Sequence, residues 1–292
     1  MLSLRSYFPI AILLAISGIY PLYAQQLSYT GSVQYAGGNY YFTERTYSFY
    51  FTNGLTFRRD GYSFSVSVPF IIQNSPWVSY TQSGFLPTGG PQNGYVGGKG
   101  GMNGQSGTGM SSSRGRRRID IPDTTSYNRS SFSDPTLSMG IPLINSVTSN
   151  FATSLRLLGD LKIPLADPDQ GYGTGAWDGG LGISLSQRVQ SWFILLNMQY
   201  WWFGDMPDLK LNDALSYGGG IGKSFNKGKW LVLGSFNGMT RIISDTDPPL
   251  NVGGGISYSL SPKSMISGNV SFGLSDSSAD FLVGAGWQFV LN

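Results

Sequence analysis

From residue 25 onward, apolar and polar residues alternate with a period of two. In 281–291 one face carries Phe281, Val283, Ala285, Trp287, Phe289 and Leu291. In 266–274 it carries Ile266, Gly268, Val270, Phe272 and Leu274, and around 252–260 Val252, Gly254, Ile256, Tyr258 and Leu260. Alternation over such lengths describes strands with a single apolar face. The opposite faces carry Ser257, Ser259, Ser267, Asn269 and Ser271 with glycines between them. The wet face of a soluble sandwich is usually rich in Lys, Glu and Thr instead. Small neutral polar groups suit a crowded barrel lumen, with lipid covering the apolar face.

Twelve segments carry the pattern, near 27–36, 46–58, 60–72, 132–142, 149–164, 174–187, 190–203, 212–225, 228–242, 249–261, 264–275 and 280–291. The expected fold is therefore all-β: a transmembrane antiparallel up-and-down β-barrel of about twelve strands, an even number as in bacterial single-chain barrels. The joints alternate in length. Short turns are expected at Arg59-Asp60, Gln187-Arg188, Asn226-Lys227-Gly228 and Ser261-Pro262-Lys263, and longer ones at 37–45, 73–131, 165–173, 204–211 and 243–248. Short periplasmic turns and longer external loops give this asymmetry. The joint at 143–148 fits it less neatly. Trp201, Trp202, Trp230 and Trp287 fall near strand ends, where aromatic girdles stand.

Residues 1–24 interrupt the pattern. One charge, Arg5, precedes an apolar run from Phe8 to Tyr20, and a short exit follows to Ala24. That layout describes a secretory signal peptide, too short for a spanning helix. The barrel then occupies 25–292, with 73–131 as a long Gly/Ser/Arg-rich extracellular loop, in the outer membrane of a bacterial cell. The C-terminal run Gly286-Trp287-Gln288-Phe289-Val290-Leu291 resembles the signal read by the barrel-assembly machinery, with Asn292 as one extra residue.

Composition agrees and removes most chemistry. The 292 residues are 14% aromatic and only 12% charged, with 41 glycines and a mean hydropathy of −0.07. Soluble domains carry about 25% charged residues. With neither Cys nor His in the chain, thiolate nucleophiles, a Ser-His-Asp triad and Cys or His metal sites are excluded. No spacing marks out a carboxylate pair, so the chain is not expected to be an enzyme. No cofactor motif survives inspection. Lys99 is followed by Gly100, which rules out a phosphate loop, and Gly171, Gly173 and Ala176 match a dinucleotide fingerprint by spacing alone, between two strands.

The charges sort by side. Glu44, Asp167, Asp169, Asp205, Asp208, Asp245 and Asp247 fall in outer joints, whereas Arg58, Arg59, Arg188, Lys227, Lys229 and Lys263 fall at inner turns. Acids outside suit divalent cations shared with lipopolysaccharide, or are simply solvated. The low-complexity stretch from Gly84 to Arg118 is expected to be flexible. Its Arg114, Arg116, Arg117 and Arg118 are expected to contact anions, either lipopolysaccharide phosphates or solutes entering the barrel. Nucleic acid is not an expected partner at a cell surface. In 149–164, Phe151, Leu155, Leu157, Leu161 and Ile163 share the lipid parity, which turns Arg156, Asp160 and Lys162 inward. Asp178 and Arg241 share inward parity in their own strands. These five residues form either a mixed-charge constriction or a set of ion pairs closing the lumen.

Segment 149–291 resembles the outer-membrane family named for the meta-pathway of phenol degradation. The resemblance rests on Gly159-Asp160-Leu161-Lys162-Ile163-Pro164, on Gly173-Thr174-Gly175 with Asp178, and on Gly204-Asp205. It continues through Gly253-Gly254-Gly255-Ile256-Ser257-Tyr258-Ser259-Leu260 and Val270-Ser271-Phe272-Gly273-Leu274-Ser275. It implies a barrel of the size derived above and a passive transport role. The expected function is an outer-membrane channel or transporter for passive passage of small solutes, the solute itself being unknown. The alternative is a structural or adhesive barrel with a plugged lumen and a partner-binding loop 73–131.

Overall fold

The computed structural model describes residues 25–81, 84–90, 94–95, 129–206, 209–244 and 246–292. Twelve strands form one closed antiparallel sheet: β1 (Gln25–Gly38), β2 (Thr46–Arg59), β3 (Tyr62–Gln73), β4 (Arg129–Phe132 continuing as Thr136–Val147), β5 (Phe151–Lys162), β6 (Asp178–Val189), β7 (Trp192–Trp202), β8 (Ala214–Phe225), β9 (Trp230–Met239), β10 (Leu250–Ser261), β11 (Ser264–Gly273) and β12 (Phe281–Val290). Each pairs with its sequence neighbours. The ring closes where β1 meets β12, with Ser28 opposite Val290 and Gly37 opposite Phe281. Closure leaves no sheet edge facing lipid, which a hydrocarbon environment requires. No helix among the described residues is long and apolar enough to cross a membrane.

Register carries the alternation around the ring. Leu181, Ile183, Met198, Tyr200, Ile221, Val232, Phe236, Ile256, Val270 and Val283 are exposed on the outer surface, while Ser, Asn, Gln and Gly line the interior. Trp202 and Trp230 stand exposed near opposite ends of the wall, as girdle residues do. Trp201 corrects the expectation for its position: it points inward and is buried at 6% exposure. The awkward joint at 143–148 is resolved by a longer β4, which runs to Val147 and turns at 148–150, where the Thr148 N–H donates to Phe151 O. Short turns adopt left-handed backbone at Asp60 (φ 49°), Gln190 (φ 54°), Asn226 (φ 50°) and Lys227 (φ 56°), as tight hairpins with primed turns require.

β4 is broken once. Between the pairs Ser67–Thr136 and Phe70–Phe132, β3 has two residues and β4 has three. The extra residue is a bulge at Ser133-Asp134-Pro135, where Pro69 and Pro135 lack amide hydrogens and the Ser133 N–H donates to Pro69 O at 2.8 Å. Bulges re-aim side chains, and this one turns Asp134 into the interior, where it is buried.

Candidate functional site

The long-loop end of the barrel is capped from within. Loop residues 79–81 and 84–86 form a small hairpin, and 89–90 pairs with 94–95. Trp77, Val78, Ser79, Thr81, Leu86 and Thr88 are buried, so the start of the long loop folds into the mouth. This corrects the expectation that the stretch beginning at Gly84 is flexible, as far as its described residues go. On one side, Tyr80 packs against the inward-facing Tyr50 of β2 at 5.8 Å between ring centroids. On the other side, Leu86 joins a buried cluster with Trp201, Phe203, Ala214, Met239 and Ile242. The hairpin therefore reaches from the β2 wall to the β7–β9 wall.

Neighbouring loops hold it there. Gln73 Nε2 donates to Gln170 O at 3.2 Å, and the Tyr80 N–H donates to Gly171 O at 3.3 Å. Gly171 has φ +75°, and a Cβ on it would lie 2.8 Å from Val78 O, so this close approach needs glycine. Tyr41 completes the outer cluster: its hydroxyl lies 2.9 Å from Ser277 Oγ and accepts the Asp247 N–H at 2.7 Å.

Lys162 forms a knot at the same end. Its Nζ lies 2.6 Å from Asp178 Oδ2 and 3.3 Å from Asp134 Oδ2, and it also donates to Thr174 Oγ1. All four side chains are buried. Asp134 Oδ1 accepts the amides of Leu165 and Ala166 at 2.9 and 2.8 Å, and Asp178 Oδ1 accepts that of Gly204 at 3.0 Å. A buried cation between two carboxylates, with amides on their outer oxygens, meets the condition for keeping charges out of water.

Below the cap the described residues leave two cavities inside the barrel. A cavity of about 400 Å³ lies under Gly84 against β9–β12, lined by Ser235, Asn237, Asn251, Asn269 and Ser271 among others. A second, of about 570 Å³, opens at the short-turn end, where Arg188, Lys227 and Lys229 meet Ser224, Ser257 and Ser259.

The model of the family described as "Putative MetA-pathway of phenol degradation" matches residues 92–290. The chain belongs to that family. This member of the phenol-degradation family is also similar in fold to solved outer-membrane barrels. One is an outer membrane channel from Pseudomonas putida F1, at 10% identity and a TM-score of 0.63, covering 94% of this chain and 98% of that one. Another is the NanC porin, at 8% identity and a TM-score of 0.48, covering 90% and 98%. No curated protein sequence matches the chain. The fold is that of an outer-membrane β-barrel.

In this family member, four of the five proposed lumen residues point inward. Only two of them join: Lys162 pairs with Asp178. Arg156 donates from Nη2 to Ser63 Oγ at 2.7 Å and to Gly140 O at 3.2 Å. Asp160 accepts from Ser138 Oγ and from Gln199 Nε2 at 2.5 Å. Strand β9 ends at Met239, so strand parity stops short of Arg241, whose Nε donates to Thr246 O at 2.7 Å within its own loop. Arg114, Arg116, Arg117 and Arg118 lie outside the described residues, as do Asp208 and Asp245. Several outer acids serve the loops directly. Asp167 Oδ1 accepts from the Asp169 N–H at 3.0 Å, and Asp205 Oδ1 from the Leu211 N–H at 3.0 Å. Asp134 is the residue that sequence reasoning missed. The signal was Ser133-Asp134-Pro135, a single proline inside an alternating run, which marks a bulge.

Proposed function

We propose that the protein is an outer-membrane channel through which small solutes diffuse passively, without catalysis. The carrying observation is the space the described residues leave inside the barrel: cavities of about 400 and 570 Å³ lie below a cap anchored by side-chain contacts. The family and the outer-membrane barrel fold support the reading. Lipid meets the apolar outer surface, and lipopolysaccharide meets the loops at the capped end. Purified protein reconstituted in a planar bilayer should give discrete conductance steps. A bilayer that stays silent at all voltages with heat-modifiable, folded protein would sink the proposal.

A second reading has an observation of its own. The buried Lys162 knot and the cap clusters are what a permanently plugged barrel would also show, with residues beyond 95 binding a partner. Silence in the bilayer would favour it.

A further inference from the structure

The chamber under the cap differs in chemistry from the rest of the lumen, and we infer that it is a subsite for an uncharged, polyhydroxylated solute of sugar or polyol type. The inference rests on the channel reading above. Among the described residues, no Asp, Glu, Lys or Arg lines the chamber. Its polar side chains are the amides of Asn237, Asn251 and Asn269 and the hydroxyls of Ser235, Ser271, Ser277 and Ser278. Leu233, Leu282 and Ala279 supply apolar surface beside them.

Inward glycines on adjoining strands make room for these amides. Gly218 separates Asn197 and Asn237 across β7–β9, and a Cβ there would lie 2.5 Å from Asn237 Oδ1 and 2.8 Å from Asn197 Oδ1. Gly284 does the same between β11 and β1, where a Cβ would lie 2.7 Å from Asn269 Oδ1 and 2.9 Å from Gln34 Cγ. The amides thus lie along the wall over backbone.

The recognition chemistry follows from what an amide offers. Each presents two N–H donors and a carbonyl acceptor, and each serine presents both functions. A solute hydroxyl needs a donor and an acceptor together. A carboxylate takes donors only and would face the amide carbonyls; an ammonium takes acceptors only and would face the N–H groups. Desolvating either charge with no counter-charge among the described lining residues is unfavourable. Charged groups on the strands lie outside this lining, among them Arg156, Asp160 and Lys162 on β5, Asp178 on β6, and Arg188 at the short-turn end.

Swelling of proteoliposomes tests this with solutes of one carbon count: glucose and sorbitol against gluconate and glucosamine. Glucose and sorbitol should enter several-fold faster than either charged relative. Asn237→Leu with Asn251→Leu should slow the neutral solutes by about fivefold or more, the equivalent of one or two lost hydrogen bonds, while potassium chloride conductance persists. Asn251→Asp gives a second reading should the leucine pair not fold, and it should shift preference toward glucosamine. Equal entry of charged and neutral solutes, or variants with unchanged preference, would overturn the subsite while leaving the channel intact. Absence of both swelling and conductance would instead overturn the channel reading, and the subsite with it.

Discussion

Asp178 holds Lys162 Nζ at 2.6 Å with one carboxylate oxygen and the Gly204 amide at 3.0 Å with the other. One side chain at the start of β6 thereby ties the wall to the loop after β7. Asp134 does the same for the loop after β5. Lys162 is only 1% exposed, and its charge is taken up by these buried partners. Lys162→Met should leave two buried carboxylates uncompensated and cost about 3–5 kcal/mol. Asp178→Asn, which keeps an acceptor for Gly204, should cost less. Denaturant unfolding of the refolded barrel measures both. A shifted reversal potential with unchanged stability would return these residues to the pore lining.

Leu86 anchors the cap hairpin in the cluster around Trp201. Leu86→Ala should weaken that docking by about 2–5 kcal/mol, the usual range for a buried leucine. The wall strands do not depend on it. Single-channel records should therefore show longer open times with the barrel's heat stability unchanged. Unaltered open probability would mean that the hairpin does not control passage.

The strands were legible because alternation has a single cause here, lipid outside and polar lumen inside, and it repeats in every wall segment. The parity argument placed Arg156, Asp160, Lys162 and Asp178 inward for the same reason. It failed at Arg241 because the strand ends at Met239, and parity has no meaning beyond the last ladder pair. Trp201 misled because a tryptophan at a strand end suits a girdle and a buried cluster equally; only its neighbour Trp202 has the outward phase. Asp134 was hidden by a bulge, which breaks the period of two at the one residue that mattered. The inward fold of the 79–86 hairpin was not legible, since Leu86 is a single apolar residue in a glycine-rich stretch and its partners lie more than a hundred residues away.

Tyr40 gives a pH dependence outside the wall. Burial, with the nearby Asp280 adding to it, holds its phenol above the usual value of 10.0. In the folded protein Tyr40 stays neutral where an unfolded chain would ionise. Its contribution is complete below pH 10 and is lost as pH rises from there through its folded value. The outer loop cluster of Tyr40, Tyr41, Phe42, Trp77 and Val78 should loosen only in that alkaline window. Phenolate absorbance should show one late-titrating tyrosine fewer in Tyr40→Phe. An identical titration in the variant would refute the assignment.

The four arginines at 114–118 remain a proposal about anions. Replacing Arg114, Arg116, Arg117 and Arg118 by Gln should lower binding to lipopolysaccharide micelles, or the anion share of the current, without changing heat-modifiable migration. If both properties stay as they were, the arginines only keep the loop solvated.

Asn292 fastens the seam of the wall. The Leu27 N–H of β1 donates to the side-chain oxygen of Asn292, and the Leu291 N–H returns to Leu27 O at 2.8 Å. The first and last strands are therefore fastened beyond their own ladder by a side chain that belongs to neither strand. Asn292→Ala would leave a barrel with every strand intact but with the Leu27 amide without its partner at the seam.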